Sequence, residues 1–197
     1  MNKFLRHSLI LSLGLTSVIA HADYTQPATN SYQQVAQFST MDLQNLIKAA
    51  QAGNATAQFY LGTRYQRGLG IERSATQAFK WFKAAADQGL SSAQLNVGRM
   101  YADGIGVKKD ETLARKYFEK AASRGDNRAS YNLAVMEEKK QNYMGAYQWY
   151  ELSSRDGMLD NKVIGLSESK KLALAANLSQ EQIRTARDNA DRWIQAQ

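Results

Sequence analysis

One helical hairpin is written twice between Ala57 and Gly125, the second copy displaced from the first by 36 residues, and this repetition constrains the fold more than any other feature. The first copy carries Ala57, Leu61, Gly62, Tyr65, Gly68, Gly70, Ile71, Ala78, Trp81, Phe82, Ala85 and Gly89. The second carries Ala93, Val97, Gly98, Tyr101, Gly104, Gly106, Val107, Ala114, Tyr117, Phe118, Ala121 and Gly125 at the same spacing. A period of this length marks units that bury an apolar face only by stacking on their neighbours. The chain is therefore expected to be an all-α solenoid.

Ala57, Leu61 and Tyr65 recur at i, i+4 and i+8 and give the first helix of the hairpin, helix A, its apolar stripe. Gly62 sits inside that helix, where glycine costs about 1 kcal/mol against alanine. Its recurrence as Gly98, and then as Ala134, predicts a spot where another helix approaches closely. Gly68-Leu69-Gly70 and Gly104-Ile105-Gly106 supply left-handed backbone to end helix A and turn the chain. They lack the third glycine, the lysine and the preceding strand of a phosphate loop. Helix B then opens on Ser74, with Gln77 completing a capping box, or on Asp110 in the second copy. Trp81, Tyr117 and Trp149 share one position of helix B, three residues after Ala78, Ala114 and Ala146, which places them on the buried stripe rather than on a sugar-stacking face.

The third copy is four residues shorter. Ala129, Leu133 and Ala134 keep the 36-residue shift, whereas Ala146, Trp149, Tyr150, Ser153 and Gly157 follow at 32. The deletion removes the Gly-x-Gly turn and leaves Glu137 to Asn142 as a polar connection, with Asn142 as N-cap. Before the first copy, Ser39 with Asp42 reads as a capping box and Phe38 with Leu43 as its hydrophobic staple, so a cap helix is expected over 39–53. The repeats then run over 54–89, 90–125 and 126–157. A degenerate C-terminal hairpin over 158–197 carries a second capping box at Ser179 and Gln182.

Residues 1–22 read as a secretory signal peptide: Lys3 and Arg6, an apolar run from Ser8 to Ile19, and Ala20-His21-Ala22 as cleavage site. Residues 23–38 are polar, contain the only proline, Pro27, and read as a flexible leader. The mature product is expected in the bacterial periplasm or outside the cell, cleaved after Ala22. No later apolar run is long enough for stable membrane insertion.

Both histidines, His7 and His21, lie in the signal segment, and the chain has no cysteine. The mature protein is thereby denied His-assisted nucleophiles, thiol chemistry and the usual His/Cys zinc sites, and no cofactor is expected. Loss of Lys3 and Arg6 takes the formal net charge from +7 to +5. The basic residues are scattered, with Lys108/Lys109, Lys139/Lys140 and Lys170/Lys171 forming no continuous run. This balance favours an acidic protein face and not nucleic acid.

Leu61-Gly62-x-x-Tyr65, Ala78-x-x-x-Phe82 and Ala114-x-x-x-Phe118 look like the tetratricopeptide pattern. With the Gly-x-Gly turns and the Ala-Ala-x-x-Gly endings, residues 43 to 158 more closely resemble the SEL-1-like repeat family. The resemblance implies a right-handed α/α solenoid that acts as a non-enzymatic protein-binding module, and a monomer is expected. Its partner would be another protein: an envelope component held by an adaptor or scaffold, or a secreted toxin blocked by an immunity protein. In such a superhelix, helix A lines the concave groove. The residues beside its packing stripe are then Phe59, Thr63, Gln66 and Arg67, next Leu95, Arg99 and Asp103, and finally Tyr131, Val135 and Glu138. Arg67 and Arg99 fit bidentate binding of partner carboxylates; Phe59, Leu95 and Tyr131 fit packing between helices as well.

The rival reading is a cell-wall-directed serine acyl enzyme of the penicillin-binding type, with Ser167 and Lys170 as nucleophile and base in the chain's one S-x-x-K. The companion S-D-N and K-T-G motifs are absent. Without them, Ser167 and Lys170 read as polar residues on an exposed helix face. Asp188 and Asp191, three apart, sit in no calcium-loop pattern and read the same way.

Overall fold

The computed structural model describes residues 37–155 and 161–197, and among these it is helical with no strand. The signal segment and almost all of the expected leader lie outside the described residues. After a helical stretch at 37–40, the helices are α1 (Leu43–Gln51), α2 (Ala55–Arg67), α3 (Ala75–Asp87), α4 (Ser91–Asp103), α5 (Glu111–Ala122), α6 (Asn127–Lys139), α7 (Tyr143–Ser154), α8 (Asn161–Ala175) and α9 (Gln180–Gln195). Helix α2 packs on α3, α4 on α5 and α6 on α7 as hairpins, while α1 with α2, α3 with α4, and α5 with α6 join one unit to the next.

The expected punctuation is in place at most boundaries. Gly68 and Gly104 end α2 and α4 with φ of 73° and 72°. Asp110 and Asn142 cap α5 and α7, and the Ser179/Gln182 box is complete. Ser74 makes only half of its box, accepting from the Gln77 N–H at 3.3 Å. Two boundaries differ from expectation. Helix α1 is capped by Asp42 and not Ser39: the Asp42 carboxylate accepts from the Asn45 N–H at 3.0 Å, and an anion at a helix N-terminus is favoured by the dipole. Helix α6 continues through Glu137 to Lys139, so the connection to α7 is only Lys140 to Asn142. Glu137 is buried within the helix because Arg115 and the Asn142 amide both bond its carboxylate. Gln141, at φ 59°, turns the chain where the longer copies use glycine.

The core runs along the stack as three adjoining apolar clusters. The first holds Phe38, Leu46, Ala50, Ala57 and Leu61; the second centres on Phe82, Val97 and Met100; the third on Phe118, Leu133, Trp149 and Tyr150. The small-residue spots are explained by close approach. A Cβ at Gly62 would fall 2.9 Å from the Phe82 ring, and one at Gly98 only 2.6 Å from Phe118. Tyr117 and Trp149 are buried, as expected of the helix B stripe, and Trp149 meets Trp193 of α9 edge-on at 4.9 Å. Unlike the hairpins before them, α8 and α9 both seat on α7 rather than on each other.

Candidate functional site

The groove residues expected from the sequence lie on α2, α4 and α6, and the structure does not place them alike. Phe59, Leu95, Tyr131 and Val135 lie inward. Leu95 is buried, the Phe59 ring packs 5.6 Å from Phe82, Tyr131 meets Tyr150 edge-on at 5.4 Å, and Val135 packs on the third cluster. Thr63 turns its hydroxyl back to the Phe59 carbonyl at 3.0 Å. Gln66, Arg67, Arg99 and Asp103 are exposed.

Arg99 is the electrostatic centre of these exposed residues. Desolvation and the nearby positive charge of Arg128 lower its pKa, while Asp126 and Asp103 act in the opposite direction. Asp126 is fully buried. It caps α6 and is engaged in a bidentate pair with Arg128 at 2.9 and 2.7 Å, so little of its charge is left for Arg99. Sequence reasoning missed Asp126 and Arg128, although Asp126 occupies the repeat position of the N-cap Asn54 and was legible as a cap.

Glu138 is tied into the protein instead of pointing free. It accepts from the Tyr150 hydroxyl at 2.7 Å and from the Lys170 ammonium at 2.9 Å, which binds α8 to the end of α6. Burial raises its pKa, but the two hydrogen bonds outweigh that and leave it below its ordinary 4.5. A carboxyl with a lowered folded-state pKa contributes stability above the unfolded value, and that stability is lost as the pH falls through the folded value. Acid unfolding monitored by circular dichroism below about pH 4.5 is therefore expected to flatten in Glu138→Gln, with about 1 kcal/mol lost at neutral pH. An unchanged acid limb would remove this pair from the account.

Ser167 and Lys170 are not arranged for catalysis. Ser167 is fully buried, and its hydroxyl pairs with Ser153 Oγ at 2.8 Å, which in turn donates to the Asn127 carbonyl. Lys170 turns to Glu138 on another helix. The expectation of an exposed pair is corrected for Ser167, because the α8 face that carries it seats on α7. Asp191 pairs with Arg155, and no cluster of metal-ligating side chains occurs among the described residues. No helix among them is long and apolar enough to cross a membrane.

The repeat register and the hairpin stack coincide with a known repeat. The Sel1 repeat model matches residues 55–90, 91–126 and 127–158, just over half of the chain. The chain belongs to the Sel1 repeat family. A protective antigen of uropathogenic Escherichia coli with an SLR fold is similar at 28% identity and a TM-score of 0.69 over 84% of this chain; the match spans only 38% of that antigen. A Sel1 repeat protein from Oxalobacter formigenes is similar at 36% identity and a TM-score of 0.54, over 65% of this chain and 98% of its own. Among curated proteins none matches. In Sel1 terms α2, α4 and α6 are the A helices, and Sel1 repeats generally mediate protein–protein interaction.

Proposed function

We propose that this Sel1 protein is an exported, non-enzymatic binding module that captures another protein along the A-helix face, as an adaptor or as an immunity-type inhibitor of a secreted toxin. The observation that supports this reading is Arg99: exposed, pushed down in pKa by desolvation and by Arg128, and set beside Asp126, whose carboxylate is already engaged by Arg128. A carboxylate from a partner would relieve that imbalance, with Arg67 one repeat away as a second anchor. The signal-like residues 1–22 and the absence of histidine and cysteine after them support an extracytoplasmic role without chemistry of its own. Inhibition, in the immunity form, would be steric.

The test is crosslinking capture from the producing cells with the tagged protein, read by mass spectrometry and repeated with Arg99→Glu. Capture of one stoichiometric partner, reduced about a hundredfold by the charge reversal while circular dichroism is unchanged, is the expected result. A toxin or lytic enzyme as that partner favours the immunity form, and an envelope assembly favours the adaptor. Capture that is indifferent to Arg99→Glu would remove the A-helix face as the binding surface.

A further inference from the structure

Gln58 and Gln94 occupy one repeat position and make one contact. Each Nε2 donates to the carbonyl eight residues earlier, Ala50 and Ala86, at 3.2 Å. Both glutamines are buried, and the bond ties the first turn of each A helix to the end of the B helix before it. In the third repeat the same position is Ser130, and Ala122 stands where Ala50 and Ala86 stood. A serine hydroxyl is one bond from Cβ, whereas the glutamine amide nitrogen is three, so Ser130 is too short to make the reach. A groove of about 220 Å³ opens at this place, lined by Ala122, Asn127, Ser130, Leu152, Arg155 and Trp193, with Ile194 at its rim.

We propose that this groove binds a carboxamide carried on an apolar stem, which takes the place that a glutamine side chain fills in the two preceding repeats. The volume falls short of the several hundred Å³ of a drug-sized site. Trp193 and Leu152 provide an apolar wall for the stem, and the Ala122 carbonyl is the repeat's acceptor for an N–H donor. The head group is set by Arg155, which already donates to Asp191 and Glu151. An ammonium would face its positive charge, and a carboxylate has no N–H to give to the Ala122 carbonyl. A neutral amide gives an N–H to the carbonyl and an oxygen to the guanidinium. The site shares α6 with the A-helix face but none of the residues assigned to that face, and it stands or falls independently of it.

Three probes with one stem and different heads test the assignment: 3-phenylpropanamide, 3-phenylpropanoate and 3-phenylpropylamine, titrated into the isotopically labelled protein and followed by NMR. The amide is expected to shift the backbone signals of Gly125 and Ser130 and the Trp193 indole, binding about tenfold more tightly than either charged analogue. Ser130→Gln, which restores the residue of the other repeats, is expected to abolish that binding. Ile194→Trp closes the mouth from the exposed rim and serves if Ser130→Gln does not fold. Equal affinity for the three heads, or amide binding that survives in the folded variants, overturns the proposal. Acetyl-Leu-Gln-amide beside acetyl-Leu-Glu-amide separates the sources: preference for the glutamine peptide assigns the site to a polypeptide side chain, and binding of phenylpropanamide alone assigns it to a free small amide.

Discussion

Gly98→Leu is expected to cost about 3 kcal/mol or more, a fall in Tm of roughly 10 °C by thermal melting. The reason is geometric. Even a Cβ at this position would sit 2.6 Å from two carbons of the Phe118 ring, and Phe118 is itself 1% exposed with no room to retreat. The third repeat shows how the spot admits one methyl group: Ala134 is fully buried there and the aromatic residue at the matching place on the B helix is Tyr150. Gly98→Ala is accordingly expected to cost less than the leucine, and Gly98→Ala combined with Phe118→Leu less than the two changes added, because the residues share one contact. A Gly98→Leu protein that melts with the parent would show that the helices do not approach as described.

Lys171→Ala carries the second large effect, about 3 kcal/mol in urea denaturation. Lys171 is 11% exposed at its side chain and donates to Glu151 at 3.0 Å and to Ser154 Oγ at 2.9 Å. Burial disfavours its charge, but Glu168 and Glu151 outweigh that and raise its pKa. Removing it strands the Glu151 carboxylate, 14% exposed, with only longer contacts to Arg155 at 3.4 Å and Arg187 at 3.8 Å. The Glu168 pair contributes little because that carboxylate is half in water. Combining Lys171→Met with Glu151→Leu removes both charges and is expected to recover most of the loss, since an apolar pair of similar volume incurs no ionic desolvation. Lys171→Ala with unchanged stability would mean that α8 is held on α7 by its apolar residues alone.

The repeat itself was legible because it depends on local signals. Glycine at positive φ, a capping oxygen three residues before a free N–H, and apolar residues at helical spacing act within one or two turns, so Gly68, Gly104, Asp110, Asn142 and Ser179 could be placed from the letters alone. Gly62 and Gly98 were legible for a different reason: a costly residue repeated at a fixed interval implies a tertiary contact, even though its partner ring is not evident. The cap at Asp42 and the length of α6 were not legible, because Ser39 lies within a separate helical stretch at 37–40 and because Glu137 is kept helical by Arg115 from a different helix.

The candidate surface was less legible. Arg99 and Asp103 could be assigned to an exposed face from helical spacing. The engagement of Asp126 by Arg128, which leaves Arg99 poorly compensated, depends on how α4 and α6 meet. Glu138, expected to face the groove, is held by Tyr150 and by Lys170 from 32 residues away, and no local pattern encodes such a pair. Ser167 looked like a surface residue beside Lys170, and only the docking of α8 onto α7 buries it against Ser153.

The sequence by itself determined that this chain is a stack of Sel1-type hairpins, where each turns, and that it lacks histidine and cysteine chemistry after residue 22. Those properties follow from composition and from interactions within a few residues. The tertiary structure alone decided which polar groups are spent inside the protein and which remain exposed, and where Ser130 stands in the place of Gln58 and Gln94 beside a groove. Those are properties of side chains brought together from distant helices, and their energies depend on burial and partner geometry that no single stretch of sequence contains.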